Sequence, residues 1–410
     1  MIQKPGPKGL RGTWEVFRHL QGPWPLPPDA RLSYPMYMIR KALLALAFLV
    51  PSVSISFAQA PAFEALQGLV PQAPQGDFAG LDAQADKKWG VSYVLNGVLT
   101  IQEDKVLLNT PDGRVFELDC SLRKARKFDG HTVHVEARAR QADDMSVLNV
   151  DGIEEFNPSA HDLKLPPYNP KRRQARLLAD AGGVLTVNNV RWHYGEPKQE
   201  QFDWATASIK PELVKNVYFV KKPFAPEWIA AHSLLAFTFE KGGLTDAAGN
   251  EASALVLTIE AFLRDGQVYD LKAGLKKNFG IVWMLTTWED YAARTVLHGA
   301  DDNRLIPYEV LRLDHAQKAA LVRESVRLAD VNREGEYYHT ITNNCTNNLL
   351  IAINRVLPEN KRIRMWTIPY LAYNVRATMP VMVPSYLQGK GLLGPELGVI
   401  NKGNYQVPLD

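Results

Sequence analysis

The chain has 410 residues, of which 46% are hydrophobic and 10% aromatic. This composition excludes an intrinsically disordered chain and is sufficient for two or three domains with hydrophobic cores. The 47 basic and 44 acidic residues give a net charge of +3, and the basic residues are spread along the chain, so the composition makes no case for nucleic-acid binding.

The first recognisable segment is a predicted secretory signal peptide at residues 38–58. It has a basic start after Met38, an apolar stretch and small residues at Ser56 and Ala58, which is typical of an exported, periplasmic protein. A short membrane anchor is the alternative, but the apolar stretch is shorter than the ~20 residues that a span needs. We interpret residues 1–37 as an extension from a mis-called start, and we expect no transmembrane helix in the mature chain.

A small β-barrel is predicted for residues 89–157, after a linker at 59–88 that is rich in Ala, Gly, Pro and Gln. Five short alternating runs fall in this stretch, with a hairpin turn at 111–113. The layout resembles an OB-like barrel, and other small β-barrels fit as well. It lacks the aromatic and basic interleaving of a single-strand nucleic-acid binder, so we expect a structural or docking role.

A second domain, of the α+β class, is predicted for residues 170–358, after a proline-rich joint. Its strand patterns come first, such as HSLLAFTFE at 232–240, and its helical patterns come late, such as the run that Asp314 can cap. Residues 359–410 form a C-terminal extension. Its aromatic and apolar stretch at 366–384 either wraps the core or makes a peripheral contact with a membrane surface.

One of the two cysteines, Cys345, stands at the start of a predicted helix. Asn343 and Asn344 precede it as cap-type residues, and we predict that they also contact the substrate. Unpaired N–H groups at a helix start lower the pKa of a thiol, so Cys345 is a candidate nucleophile. Cys120 falls in an alternating strand and is expected to be a structural thiol. A disulfide between the two is the alternative.

A thiol nucleophile needs a general base, and His232 is the candidate among nine histidines. It opens an apolar strand, and Glu260 on the next predicted strand can orient its ring directly or through water. His339 lies too near Cys345 in sequence to face it easily; finding His339 or His193 beside the sulfur would make the assignment of His232 wrong. Metal-ligand spacing does not occur, so neither a metal nor another cofactor is predicted.

Four segments carry a resemblance to a known family: PFAPEWIAAHSLLAFTFE, LTIEAF, IPYEVLRLDHAQKAALV and YYHTITNNCTNNLL. Together they resemble the Lnb N-terminal periplasmic domain, a bacterial family of lipoprotein N-acyltransferase-like proteins, over Val184 to Pro358. The resemblance implies a permuted papain-like and NlpC/P60-like fold, with Cys345 as nucleophile, His232 as base and Glu260 as orienting residue. The barrel before the domain, and the expected absence of transmembrane helices after it, depart from the full-length enzymes and leave the substrate open.

We therefore expect an exported, cysteine-dependent acyltransferase or amide/ester hydrolase that acts through a Cys–His dyad. Its substrate would be a lipid, a lipoprotein or another component of the cell envelope. A peptidoglycan amidase or endopeptidase of the NlpC/P60 kind is the closest alternative. An alternative from another class is a non-catalytic scaffold that binds envelope components through the barrel, and the reactivity of the thiol distinguishes it from the enzymes.

Overall fold

The computed structural model describes residues 91–139, 146–161, 165–195, 198, 201–228, 230–298, 302–368, 372–373 and 379–409. The predicted extension, signal peptide and linker, at 1–37, 38–58 and 59–88, lie outside these residues, and so do parts of the stretch at 366–384. All described residues belong to one unit of the chain, Gln59–Asp410. Among them, no helix combines the length and the apolar character needed to cross a membrane.

The first five strands close into a barrel, in the spatial order β1-β2-β3-β5-β4. Their bounds are β1 Ser92–Gln102, β2 Lys105–Asn109, β3 Val115–Asp119, β4 Thr132–Ala139 and β5 Val147–Glu155, with helix α1 at Leu122–Ala125 before β4. Apolar side chains alternate inward, as Tyr93, Leu95 and Leu99 do in β1. Gly97 is required where β1 meets β2, because a Cβ there would lie 2.5 Å from the carbonyl oxygen of Asn109.

The rest of the described chain is built on a ten-stranded sheet, in the order β11-β8-β7-β13-β12-β10-β9-β14-β17, with β6 also pairing β7. Its pairings are antiparallel except that of β7 with β13. The bounds are β6 Arg176–Ala181, β7 Val184–Trp192, β8 Asp203–Ile209, β9 Val214–Pro223, β10 Ala231–Phe239, β11 Leu244–Asp246, β12 Ala254–Phe262, β13 Gly280–Thr287, β14 Ile306–Val310 and β17 Leu393–Glu396. Strands β15 Trp366–Ile368 and β16 Ala372–Tyr373 form a separate pair.

Helices pack on both faces of this sheet. The remaining helices are α2 Pro158–His161, α3 Trp288–Leu297, α4 His315–Asp330, α5 Cys345–Val356 and α6 Val383–Gly389. Helix α3 shares a core cluster with Tyr218 and Leu234, whereas α4 and α5 share the larger cluster with Phe219 and Leu235. Neighbouring strand residues point to opposite faces, so each strand contributes to both clusters.

The chain is thus mixed α/β with more strand than helix, which confirms the predicted mixture of the two. The OB-like barrel and the permuted papain-like domain stay predictions.

One segment after α4, residues 335–339, joins the barrel to the sheet. Its backbone makes hydrogen bonds of 3.0 Å to Val94 and to Ser92 in β1, and a bond of 2.9 Å to Phe279, which precedes β13. The barrel is therefore hydrogen-bonded into the same unit as the sheet. The segment that joins them leads directly into α5.

Candidate active site

Helix α5 begins at Cys345 because the residue before it is an effective cap. Asn344 has an extended backbone, and its side-chain oxygen accepts the N–H groups of Thr346, at 2.8 Å, and Asn347, at 3.0 Å. Asn347 bonds back to the N–H of Asn344, which completes a capping box. Leu349 is fully buried one turn further on. The Cys345 side chain is therefore held at the first turn of a helix that is fixed at its start and packed along its face.

The sulfur of Cys345 lies beside His232, at the start of β10. The ring is in hydrogen-bonding contact with the thiol, and the N–H of Ser233 and the hydroxyl of Thr346, 3.8 Å from the sulfur, add to its polar surroundings. Burial alone would raise the pKa of this thiol, which is 2% exposed, but the charge and hydrogen bond of His232 lower the pKa overall. The structure thus brings the predicted nucleophile and base together.

Thr258 is the direct contact that orients the His232 ring. Nε2 of His232 lies 2.7 Å from the Thr258 hydroxyl oxygen, and this hydroxyl donates to Oε1 of Glu260 at 3.4 Å. With its proton on Nε2, the ring donates to the Thr258 oxygen while the Thr258 hydroxyl donates to Glu260, and Nδ1 is then available as a base. Glu260 therefore reaches the ring through one side-chain hydroxyl instead of directly or through water.

Glu260 is held ionised by the arginines around it. Burial alone would raise the pKa of this carboxyl, but Arg172, which bonds it through Nε, together with the charges of His232 and Arg191, lowers the pKa from 4.5 to about 2. Arg172 comes from the proline-rich joint before β6. The sequence carries no signal for this contact, because 88 residues separate Arg172 from Glu260.

Three side chains form a row across the sheet at this end. Lys222 of β9 is directly opposite His232, and the β10–β12 register, in which Leu234 faces Thr258, places Glu260 on the other side of His232. Opposed residues in antiparallel strands point to the same face, with Cβ atoms about 5 Å apart. His232 therefore stands between a cation and a carboxylate. Sequence reasoning misses Lys222, because its position depends on the register of the β9–β10 hairpin.

The predicted binding residues Asn343 and Asn344 are 2% and 1% exposed. The Asn343 amide donates to Oε1 of Glu336 at 3.0 Å, and Asn344 caps α5. Glu336 also accepts the hydroxyl of Tyr93, 3.2 Å away in barrel strand β1. These bonds hold the loop before α5 in place and connect it to the barrel. Substrate contact by either asparagine stays a prediction.

Main-chain donors at the start of α5 are engaged within the chain. The N–H groups of Thr346 and Asn347 bond the cap, and the N–H of Cys345 donates to the hydroxyl oxygen of Tyr338. Tyr338 in turn bonds Tyr269. A substrate oxygen can therefore reach the N–H of Cys345 only by taking the place of the Tyr338 oxygen.

The other candidate side chains have different environments. His339 is turned into its own loop, where Nδ1 accepts two N–H groups at 3.1 and 3.3 Å, and burial lowers its pKa. His193 has a buried Nδ1 without a hydrogen-bond partner among the described residues. Cys120 and Cys345 are both free thiols, so the structure does not form the alternative disulfide.

One cluster in the described part of the chain has the spacing of metal ligands: His134, Glu154 and His161 in and after the barrel, with ligand atoms within 4.8 Å of one another. Nδ1 of His161 accepts the N–H of Asn157 at 2.9 Å, so Nε2 carries the proton and donates to Glu154 at 3.1 Å. The two rings stack at 4.0 Å and 9°, which points their in-plane lone pairs side by side and not at a common centre. We assign no metal to this cluster.

Comparison with known families finds two matches. Residues 200–375 match the Lnb N-terminal periplasmic domain, and residues 96–156 match a family described as a protein of unknown function, DUF5818. No curated protein and no solved structure matches the chain. The first match confirms the resemblance seen in the sequence and indicates an envelope-related protein. The relation to permuted NlpC/P60 enzymes stays a prediction.

Proposed function

We propose that this protein is an exported, cysteine-dependent acyltransferase or amide/ester hydrolase of the cell envelope. The observation that carries the proposal is the lowered pKa of the Cys345 thiol beside His232. The match to the Lnb domain covers both residues and supports an envelope substrate. Cys345 is the nucleophile, His232 is the base, and Thr258 with Glu260 orients the ring. Export rests on the predicted signal peptide at 38–58.

In the first half-reaction, Nδ1 of His232 takes the thiol proton, and the Cys345 thiolate attacks the carbonyl carbon of an ester or amide. A C–S bond forms, the bond to the alcohol or amine breaks, and His232 gives its proton to this leaving group. In the second half-reaction, His232 takes a proton from the acceptor, which attacks the thioester, and the thiolate leaves and regains the proton. An amine acceptor gives an amide, and water gives a carboxylic acid.

The tetrahedral intermediate of each half-reaction carries a negative oxygen that needs donors beside the sulfur. The N–H of Cys345 is one such donor, and it bonds the hydroxyl oxygen of Tyr338. Substrate binding must therefore move Tyr338 before this N–H can stabilise the oxyanion.

A peptidoglycan amidase or endopeptidase would use the same thiol on a peptide carbonyl, so the two enzymes differ in the group transferred to Cys345. A non-catalytic scaffold would have an unreactive thiol. Trapping the thioester on Cys345 therefore distinguishes the proposed enzyme, the peptidoglycan enzyme and the scaffold.

In this experiment, the reduced protein is incubated in turn with a diacylated lipoprotein peptide, a phospholipid and a muropeptide, and each reaction is quenched in acid. Mass spectrometry of the Cys345 peptide should show an added fatty acyl group that is absent in Cys345→Ser. A peptidyl adduct would favour the amidase. Absence of both adduct and product with every substrate would contradict the proposal and favour the scaffold.

A further inference from the structure

A basic cavity adjoins the row formed by Lys222, His232 and Glu260. Its volume is about 320 Å³, which is within the range of small-molecule sites. It is lined by Lys171, Arg172, Arg191, Phe202, Lys222, Glu260, Tyr291, Arg294, Thr295 and His298. Neither Cys345 nor His232 lines it, so it is a compartment beside the thiol site.

Two carboxylates serve the three arginines of this cavity. Asp290, which is fully buried, pairs with Arg191 at 2.5 Å and with Arg294 at 2.6 Å, and Glu260 pairs with Arg172. Among the described residues, the three arginines therefore outnumber these two acids, before either lysine is considered. Cations gathered in a partly closed cavity create a positive potential that attracts anions.

Lys222 adds a cation without a carboxylate of its own. Within the described residues its ammonium makes no hydrogen bond and no ion pair, and the Tyr291 ring centroid lies 5.7 Å from it. Burial lowers the pKa of Lys222, and Arg172 and Arg191 lower it further against the opposing effect of Glu260. A poorly compensated cation that is partly buried is unfavourable, and a bound anion would relieve this cost.

The available donors suit the oxygens of a phosphate. In the described chain, Arg172 bonds Glu260 through Nε, which leaves its two terminal nitrogens to bind a pair of oxygens. Lys222 supplies a point charge. The Phe202 ring packs against Arg191 and Arg294, with centroid distances of 5.8 and 4.2 Å, and helps to fix their guanidinium groups.

We propose that this cavity is a phosphate-binding subsite of the thiol site, which holds the phosphate group of a substrate whose carbonyl reaches Cys345. The inference rests on the proposed function in that the thiol acts on the same molecule. Because Lys222 is directly opposite His232, a phosphate on Lys222 lies one strand away from the base. The substrate is thus a phosphate-bearing ester or amide, either a phospholipid or a soluble phosphate ester.

Calorimetric titration with inorganic phosphate tests the subsite. Lys222→Met keeps the apolar stem and removes the charge, and Lys221→Met, on the opposite face of the same strand, is the matched control. We expect phosphate to bind the native protein and Lys221→Met alike, and Lys222→Met to weaken binding by about tenfold or more, as expected for a lost charge-assisted bond. Lys222→Met should be at least as stable to heat as the native protein when phosphate is absent. No binding by the native protein, or equal binding by Lys222→Met, would overturn the subsite.

Two further probes separate the sources of the phosphate. Phosphatidylglycerol vesicles test a lipid headgroup, and glycerol 3-phosphate tests a soluble ester. Binding of either that inorganic phosphate displaces and Lys222→Met weakens supports the subsite and names its source. Vesicle binding that neither phosphate nor Lys222→Met affects would contradict it.

The thioester assay on the same samples keeps this inference separate from the proposed function. If Cys345 forms a thioester but phosphate does not bind, the phosphate subsite is contradicted and the proposed function stands. If phosphate binds through Lys222 and no substrate acylates Cys345, the proposed function fails alone.

Discussion

The two cysteines of this chain are both free and both at least partly buried, yet their thiols have opposite character. Burial raises the pKa of Cys120, and the opposing charge of Lys124 does not overcome this. Burial also acts to raise the pKa of Cys345, but His232 reverses the direction. The depth at which a thiol lies therefore does not decide its reactivity. A basic ring held in direct contact does, because it can take the thiol proton and pair with the thiolate, and Cys345 has such a partner where the start of α5 meets His232 of β10.

The largest expected effect comes from replacing each cysteine with serine. Cys345→Ser should abolish alkylation by iodoacetamide near neutral pH and reduce thioester formation to background, because the thiolate is the nucleophile. Cys120→Ser should retain both. Peptide mass spectrometry locates the label, and circular dichroism checks that both variants fold. A native protein that is labelled mainly at Cys120 would break the comparison.

Removing His232 should raise the pKa of the Cys345 thiol, as burial does for Cys120, and slow acyl transfer. His232→Ala should reduce the rate of acyl transfer by roughly 10²–10⁴-fold, the usual contribution of a general base. It should also shift the pH midpoint of Cys345 alkylation upward, because the group that lowers the thiol pKa is gone. The pH dependence of alkylation, read by peptide mass spectrometry, measures this shift.

His339→Ala is the matched control, because His339 is close in sequence but turned into its own loop. It should leave the pH midpoint unchanged. An upward shift with His339→Ala and none with His232→Ala would contradict the assignment of the base.

Glu260→Gln should mainly lower the free energy of unfolding, with a smaller effect on the reactivity of the Cys345 thiol. The pKa of Glu260 is depressed from 4.5 to about 2, so its stabilisation is complete above pH 4.5 and is lost as pH falls through about 2. The shift corresponds to roughly 3 kcal/mol at neutral pH, and this side chain is 18% exposed. Urea unfolding at neutral pH and near pH 3 should show that the difference between variant and native protein narrows in acid.

Thr258→Val tests the orientation of the His232 ring without changing the charge of Glu260. It keeps the shape but removes the hydroxyl between Nε2 of His232 and Glu260, so acyl transfer should fall while the Glu260–Arg172 pair remains. Equal acid dependence of unfolding in Thr258→Val and the native protein is the expected result. Loss of that dependence would mean that Thr258, and not Arg172, sets the Glu260 pKa.

The smallest effect on the Cys345 thiol is expected from a substitution in the barrel. Tyr93→Phe removes the hydroxyl that bonds the buried Glu336, and a hydrogen bond to a charged group contributes about 1.5–3 kcal/mol. Because Glu336 also holds Asn343, labelling of Cys345 should slow slightly while labelling of Cys120 does not change. Tyr308→Phe, which removes a comparable bond to Glu396, should lower stability without affecting either thiol. Equal rates of Cys345 labelling in Tyr93→Phe and Tyr308→Phe would show that the Tyr93–Glu336 hydrogen bond does not affect the thiol.

The parts of this structure that the sequence predicts are those determined locally. Apolar and polar residues alternate along the barrel strands because one face of each strand is buried. The start of α5 can be predicted because its capping box lies within four residues of sequence. Strand β13 escapes prediction for the opposite reason. It is buried on both faces from Ile281 to Thr287, so its apolar run shows no alternation.

The candidate site divides in the same way. Cys345 and His232 each stand at the first residues of an element, where local patterns identify them. Thr258 could have been found from the period of two that places it on the same face as Glu260. Arg172 and Lys222 could not, because their positions depend on a contact across 88 residues and on a hairpin register.

The segment at 335–339 connects the barrel and the thiol site by backbone hydrogen bonds. It bonds β1 on one side and the start of β13 on the other, and its chain continues into the cap of α5. Detaching the barrel would break the ladder to β1 and leave the buried carboxylate of Glu336 without the Tyr93 hydroxyl. A chain whose barrel is clipped or misfolded would thus lose the arrangement of its reactive thiol as well. We therefore expect the position of Cys345 beside His232 to depend on an intact barrel.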